Sequence, residues 1–188
     1  MKRILTPFLC LIFLCGCHQK PQEYLVTAIG VDFFMGEYVL TVESVIINTE
    51  TDSEKRQTLT GKGRTLDQAF NDIEKQTTMP LMLSHCGIII VGKTISRTTL
   101  KGIMRYCKER GEITLSAYFV NTENAALLLE KEPISSISVG YDLMAMIKTN
   151  NMQNSTKIKN RLFEICENEN PILPLINLTE KGYYFDQK

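Results

Sequence analysis

The clearest alternation of apolar and polar positions runs from Glu37 to Asn48. Tyr38, Leu40, Val42 and Ile46 fall on one face, and Val39, Thr41, Val45 and Ile47 on the other. Both faces are largely apolar, which predicts a strand inside a sheet rather than at its edge. Leu25 to Asp32 is a second apolar, partly β-branched run, and Phe33 to Gly36 is short enough to join the two as an antiparallel hairpin. Thr49 to Lys55 reads as a polar loop and Gln57 to Gly63 as a third, shorter strand. Thr65 with Gln68 three residues on has the form of a capping box, and Leu66, Ala69, Phe70 and Ile73 follow at helical spacing before Pro80 breaks the pattern.

Cys86 to Gly92 is a continuous apolar run of strand length. A helix is predicted from about Thr94 to Arg110, with Leu100, Ile103, Met104 and Cys107 as its buried stripe and Gly111 as its stop. Ile113 to Val120 alternates like a strand, with Ile113, Leu115, Ala117 and Phe119 set against Thr114, Ser116 and Tyr118. Thr122 to Glu130 is a short helix on Ala125, Ala126, Leu128 and Leu129, and Ile137, Tyr141, Met144 and Ile147 mark another. Asn150 to Ser155 reads as exposed, Lys157 to Asn168 as a last helix, and Ile172 to Leu178 as extended. A hairpin first and then strands separated by helices predicts an α+β domain: a mixed, largely antiparallel sheet with an N-terminal hairpin, packed by several helices.

The start of the chain follows a different rule. Lys2 and Arg3 precede an apolar run, Ile4 to Leu14, which ends in Leu14-Cys15-Gly16-Cys17. A basic end, a short apolar stretch and small residues before a cut site describe an export signal, and the run is well short of the ~20 residues that cross a hydrocarbon core. A cysteine after Leu-x-Gly resembles the lipobox of bacterial lipoproteins, in which that cysteine is acylated and becomes the new N-terminus; Cys15 departs from the usual small residue. The competing reading is a plain signal peptide with Cys17 incidental. The expected layout is a signal peptide over 1–16, a tether over 17–23 after lipidated Cys17, a domain over 24–180, and in 181–188 the start of a next segment, cut short.

Composition changes this picture little. The 188 residues hold 21 basic and 21 acidic side chains, and removing Lys2 and Arg3 leaves 19 against 21. Without a Lys- or Arg-rich block in the linear sequence, neither nucleic acid nor an electrostatic lipid patch is indicated as a partner. Beyond Cys17, the mature part carries Cys86, Cys107 and Cys166, an odd number that cannot form a disulfide framework. Cys86 and Cys107 read as small buried hydrophobes, with a single disulfide between two of the three as the alternative.

Candidate chemistry is sparse. The sequence has no nucleophile elbow, no phosphate loop and no His-Glu-x-x-His. His85-Cys86 is the one pair to weigh as a thiol nucleophile or metal site, but neighbours in an extended segment point to opposite faces. The other reading is a histidine capping the start of a buried strand. Asp32 reads as an acid that closes the hairpin by accepting local backbone hydrogen bonds. Arg105, Lys108, Glu109 and Arg110 form either a solvated charged face or a partner-binding surface. Three function classes remain: a non-enzymatic membrane-anchored subunit, an exported solute-binding lipoprotein with a well-formed pocket, and a thiol-dependent envelope enzyme with a depressed pKa at Cys86 or Cys107.

A series of segments distinguishes them. The lipobox, then Ala28-Ile29-Gly30-Val31-Asp32 and Glu37-Tyr38-Val39-Leu40-Thr41-Val42, resembles the opening of the Ger(x)C family, the lipoprotein C-subunits of bacterial spore germinant receptors. Gly63-Arg64-Thr65-Leu66-Asp67-Gln68-Ala69, Leu83-Ser84-His85-Cys86-Gly87-Ile88-Ile89-Ile90-Val91-Gly92, Arg105 with Arg110, and Ile137-Ser138-Val139-Gly140-Tyr141 continue the series in the family's order. The resemblance implies a non-enzymatic subunit needed for nutrient-triggered germination. It would be anchored by palmitate or a like acyl group at Cys17 on the extracytoplasmic face of the spore inner membrane, beside integral membrane subunits. It implies no catalytic residue, no metal and no cofactor, and a structural role for His85.

Overall fold

The computed structural model describes residues 24–48, 53–157, 173–180 and 182–186. The expected signal peptide, Cys17 and its tether, Cys166, and the helix expected over Lys157–Asn168 beyond its first residue lie outside them.

The hairpin forms as its pattern requires. β1 (Tyr24–Phe34) and β2 (Glu37–Asn48) pair antiparallel from Phe34↔Glu37 to Tyr24↔Ile46. The two-residue turn has positive φ at both Met35 (52°) and Gly36 (84°), the handedness that suits the strands' own twist. A bulge between Val26 and Ala28 shifts the register, so Val26, Ile29 and Val31 reach one core while Ala28 reaches the other. β3 (Ser53–Gly63) pairs with β2 along its whole length. It therefore begins four residues before the predicted Gln57 and takes in part of the expected loop.

α1 (Leu66–Glu74) starts where the capping residues place it: the Gln68 amide donates to Thr65 Oγ1 at 3.2 Å. The return bond differs from a standard capping box, because Gln68 Oε1 accepts from the Arg64 amide at 3.0 Å, one residue earlier. A short β4 (Leu81–Met82) and a 3₁₀ turn, Leu83–His85, lead into β5 (Ile88–Gly92). α2 (Arg97–Arg110) is capped by Ser96 and ends at Gly111 in the left-handed region, φ 70°. β6 is Tyr118–Thr122, not Ile113–Val120. Ile113 and Ala117 are buried as expected, but Thr114 Oγ1 accepts the Ser116 amide and the Ala117 amide returns to the Thr114 carbonyl, which closes a local turn and leaves Leu115 42% exposed.

α3 (Ala125–Leu129) and α4 (Val139–Thr149) are capped by Asn124 and Ser138, and α5 (Gln153–Thr156) follows. Because Ser138 is the cap, Ile137 stands outside α4, and the buried stripe runs through Val139, Leu143 and Ile147 rather than through Tyr141. β7 (Leu175–Thr179) and β8 (Gly182–Phe185) form a closing hairpin, so the sheet continues past position 180.

The strands lie in the order β3-β2-β1-β5-β6-β7-β8, with β4 beside the start of β1. Antiparallel pairing occupies the two wings, and β1, β5, β6 and β7 run parallel in the middle. The fold is α+β, with a core on each face of this mixed sheet. On one face Val31, Leu40, Val42, Ile89 and Phe119 pack against α1 and α2; on the other Ala28, Ile88, Ile90 and Val120 pack against α3, α4, Tyr183 and Phe185.

Candidate functional site

Among the described residues singled out from sequence, Cys86 and Cys107 share the α1–α2 core, and the others are not gathered into one site. His85 is exposed at the end of the 3₁₀ turn, whereas Cys86 beside it is wholly buried, so the pair diverges, but at the end of a turn rather than within the extended segment expected. Cys86 and Cys107 are both free and buried, and burial pushes each thiol up to about 12. A thiol nucleophile needs the opposite on both counts, solvent access and a lowered pKa. The charged end of α2 divides. Arg105, Lys108 and Glu109 are exposed. Arg110 instead turns onto the Phe70 ring, with its guanidinium carbon 4.5 Å from the centroid, and donates to the Tyr106 hydroxyl at 2.7 Å and to Glu112 at 2.9 Å.

Asp32 does not close the hairpin. Its two oxygens accept the Ala125 and Ala126 amides at 3.0 and 2.9 Å, so it binds the start of a helix 93 residues away. Free amides at a helix N-terminus supply donors and positive potential, and a carboxylate satisfies both. The same position explains Gly92: a Cβ there would lie 1.9 Å from Asp32 Oδ1. The local-turn expectation failed because the partner amides are remote in sequence.

Two further acids escaped the sequence reading. Glu43, in the middle of β2, is fully buried, and its Oε1 and Oε2 accept the Val139 and Gly140 amides of α4, both at 2.8 Å. Thr27, at the bulge of β1, donates to Oε2 at 2.8 Å, and Arg56 Nε on β3 pairs with Oε1 at 2.6 Å. Arg56 also donates through Nη2 to the Leu129 carbonyl at the end of α3. The ion pair thus sits between the C-terminal end of one helix and the N-terminal end of the next, with each charge facing backbone groups of opposite polarity. A charged residue inside a strand that is apolar on both faces was the available signal, because such a charge must be paired.

Asp142, on α4, is the third. It is 2% exposed and accepts the Ile134 amide, the Ser135 amide and hydroxyl, and the Tyr183 hydroxyl at 2.7 Å. Burial acts to raise its pKa, but the hydrogen bonds from Tyr183, the Ile134 amide, Ser135 and Ser136 outweigh it and hold the carboxyl down to about 2. Tyr183 is pushed up correspondingly, by burial and by the carboxylate it serves. This contact fastens β8 to the α4 layer.

The three buried carboxylates are thus used to fix elements in place, since each oxygen pair holds backbone amides. Among the described residues no group of three or more acid, histidine or cysteine side chains is placed to hold a metal ion, and no helix is long and apolar enough to cross a membrane. Two hollows among the described residues are open: a groove of about 640 Å³ between Leu127, Glu130 and Lys131 and the Leu178–Glu180 edge, and a polar one of about 520 Å³ between Lys62, Arg64 and α1. The space inside the α1–α2 core is about 10 Å³, too small for a solute.

No curated protein and no solved structure gives a significant match to the chain. The family described as spore germination protein N-terminal domain matches residues 22–178, which takes in the β1–β3 wing, the parallel middle of the sheet and every helix described above, and stops before β8. The chain belongs to that family of spore germination proteins, and its role lies in spore germination.

Proposed function

We propose that the chain is a lipid-anchored, non-enzymatic subunit of a spore germinant receptor complex. Acylated Cys17 holds it to the outer face of the spore's inner membrane, beside integral membrane subunits. The observation that carries this reading is the spacing of two features: the germination domain begins matching at residue 22, five residues after the lipobox cysteine. A short tether between an acyl-bearing cysteine and a folded domain is what surface anchoring requires. Each buried methylene of the acyl chains adds about 0.8 kcal/mol to membrane affinity.

The non-enzymatic part rests on how the candidate groups are used. Asp32, Glu43 and Asp142 are engaged with backbone amides, and the Cys86 and Cys107 thiols are desolvated. The α+β domain then acts through its surfaces. Labelled palmitate fed to cells making the protein should be incorporated, and a Cys17→Ala variant should lose the label; a variant that keeps it overturns the anchor. Genes for a multi-span transporter-like protein and a second membrane subunit are expected beside this one. Their absence would overturn the receptor-complex part and favour an exported solute binder.

A further inference from the structure

The linear sequence has no basic block, yet α2 assembles one. At 100° per residue, Arg97, Lys101, Arg105 and Lys108 fall within a sector of about 80° on the helix surface. Arg97, Arg105 and Lys108 are exposed and Lys101 is half-buried. Lys101, Arg105 and Lys108 take part in none of the ion pairs among the described residues. The acids on the neighbouring α1 are directed elsewhere: Asp67 accepts the Tyr106 hydroxyl at 2.8 Å, Asp72 the Lys62 amide at 3.0 Å, and Glu74 faces Arg110. Glu109 is the one acid of α2 itself and stands at the margin of the sector. Thr98 and Gly102 flank the stripe without bulk; a Cβ at Gly102 would meet nothing within 4 Å.

We propose that this face of α2 lies on a membrane and binds anionic phospholipid headgroups. The proposal rests on the reading that Cys17 is the anchor. β5 and β6 both run parallel to β1, so α2, which connects them, returns toward the end of the sheet where Tyr24 begins. Lys108 and Arg105, in the last turns of α2, therefore lie toward the end of the sheet from which the tether leaves. Cys17 to Glu23 spans at most about 24 Å when fully extended, and the 14-residue α2 is about 21 Å long. The tether keeps the start of β1 within about 24 Å of the surface that holds the acyl chains, a reach comparable to the length of α2. An anionic leaflet attracts cations within a Debye length, about 8 Å at physiological salt.

The test uses the full lipidated chain, reconstituted on phosphatidylcholine vesicles with or without phosphatidylglycerol. Flotation with the neutral vesicles reads the anchor alone, so its failure counts against Cys17 acylation and not against α2. Labelling of Lys101 and Lys108 by a water-soluble amine-acylating reagent reads the docking, with exposed Lys62 and Lys93 as references. Both lysines should be protected several-fold on anionic vesicles, unprotected on neutral ones, and released by high salt. In an Arg105→Glu/Lys108→Glu variant, which changes only exposed positions, protection of Lys101 should fall by roughly fivefold or more per cation removed. Equal labelling on the two vesicle types overturns the proposal. So does equal protection by inorganic phosphate alone, or protection that appears only with a second protein.

Discussion

On the face covered by α1 and α2 the buried contacts between helix and sheet are carbon to carbon, whereas on the face covered by α3 and α4 buried carboxylates hold the helix starts in addition to an apolar core. The first face is a packing problem. β3 carries Gly61 and Gly63 under α1, and a Cβ at Gly61 would lie 2.4 Å from the Ala69 carbonyl oxygen and 2.9 Å from the Ile73 amide nitrogen. The absence of two methyl groups lets the helix backbone rest directly on the strand. The second face is a polar-satisfaction problem: Asp32 takes two amides of α3, Glu43 two of α4, and Asp142 joins α4 to the 134–135 turn and to Tyr183. One face should fail when a methyl is added and the other when an oxygen is removed.

Glu43→Ala carries the largest expected effect. It leaves Arg56, Thr27 and two helix amides without their acceptor, and removing one partner of a buried ion pair costs about 3–5 kcal/mol. Denaturant unfolding should show that loss. In a double-mutant cycle Arg56→Ala should cost less in the Glu43→Ala background than alone. Full additivity would mean that Arg56 is held mainly by the Leu129 carbonyl. Gly61→Ala is the matching break on the other face. Its clash is with backbone rather than a mobile side-chain tip, so α1 has to shift, at about 3 kcal/mol. An unchanged midpoint for Gly61→Ala would show that α1 is not seated on β3 as described.

This difference also decides what could be read from the sequence. The α1–α2 face was legible because its signals are local. Thr65 and Gln68 mark a helix start, Gly111 a stop, and Ile103, Met104 and Cys107 recur at helical spacing. The hairpin and the β5 run were legible for the same reason. The α3–α4 face was not. Glu43 and Asp32 act on amides 96 and 93 residues further along, and no spacing rule links a strand acid to a distant helix start. The stripe assigned to Ile137 and Tyr141 was out of phase because Ser138 fixes where α4 begins. The alternation over Ile113–Val120 was genuine in burial at Ile113 and Ala117, but hydroxyl-to-amide bonding at Thr114 and Ser116 turned it into a loop. The basic face of α2 was half seen: Arg105 and Lys108 belong to it, Arg110 does not, and Arg97 and Lys101 complete it.

The acid-held face should also respond to pH in one direction. Asp142 has its carboxyl lowered from an ordinary 3.8 to about 2, so its stabilisation is present in full above the unfolded value and is lost as pH falls through the folded one. Stability should therefore drop between about pH 4 and pH 2. Tyr183→Phe removes the first of the bonds that lower this pKa, so it should raise the folded value and start the loss at higher pH. At neutral pH the variant should cost about 1.5 kcal/mol, the range of a hydrogen bond to a charged group. An unchanged acid profile in Tyr183→Phe would mean that the amides of Ile134 and Ser135 hold the carboxylate unaided.

Gly102→Ala asks the opposite question of the packed face, namely whether a methyl added away from the contact surface is tolerated. Gly102 is exposed in the middle of α2, its φ is negative, and a Cβ there meets nothing within 4 Å. Glycine inside a helix loses more backbone freedom on folding than alanine does, so the substitution should stabilise by about 0.5–1 kcal/mol. The contrast with Gly61→Ala holds the chemistry fixed, since both add one methyl to the same half of the molecule. A thermal midpoint that rises for Gly102→Ala and falls for Gly61→Ala locates the sensitivity of this face at the strand–helix seam. If both fall, the exposed side of α2 is in contact with something, and the basic stripe beside Gly102 is the first place to look for it.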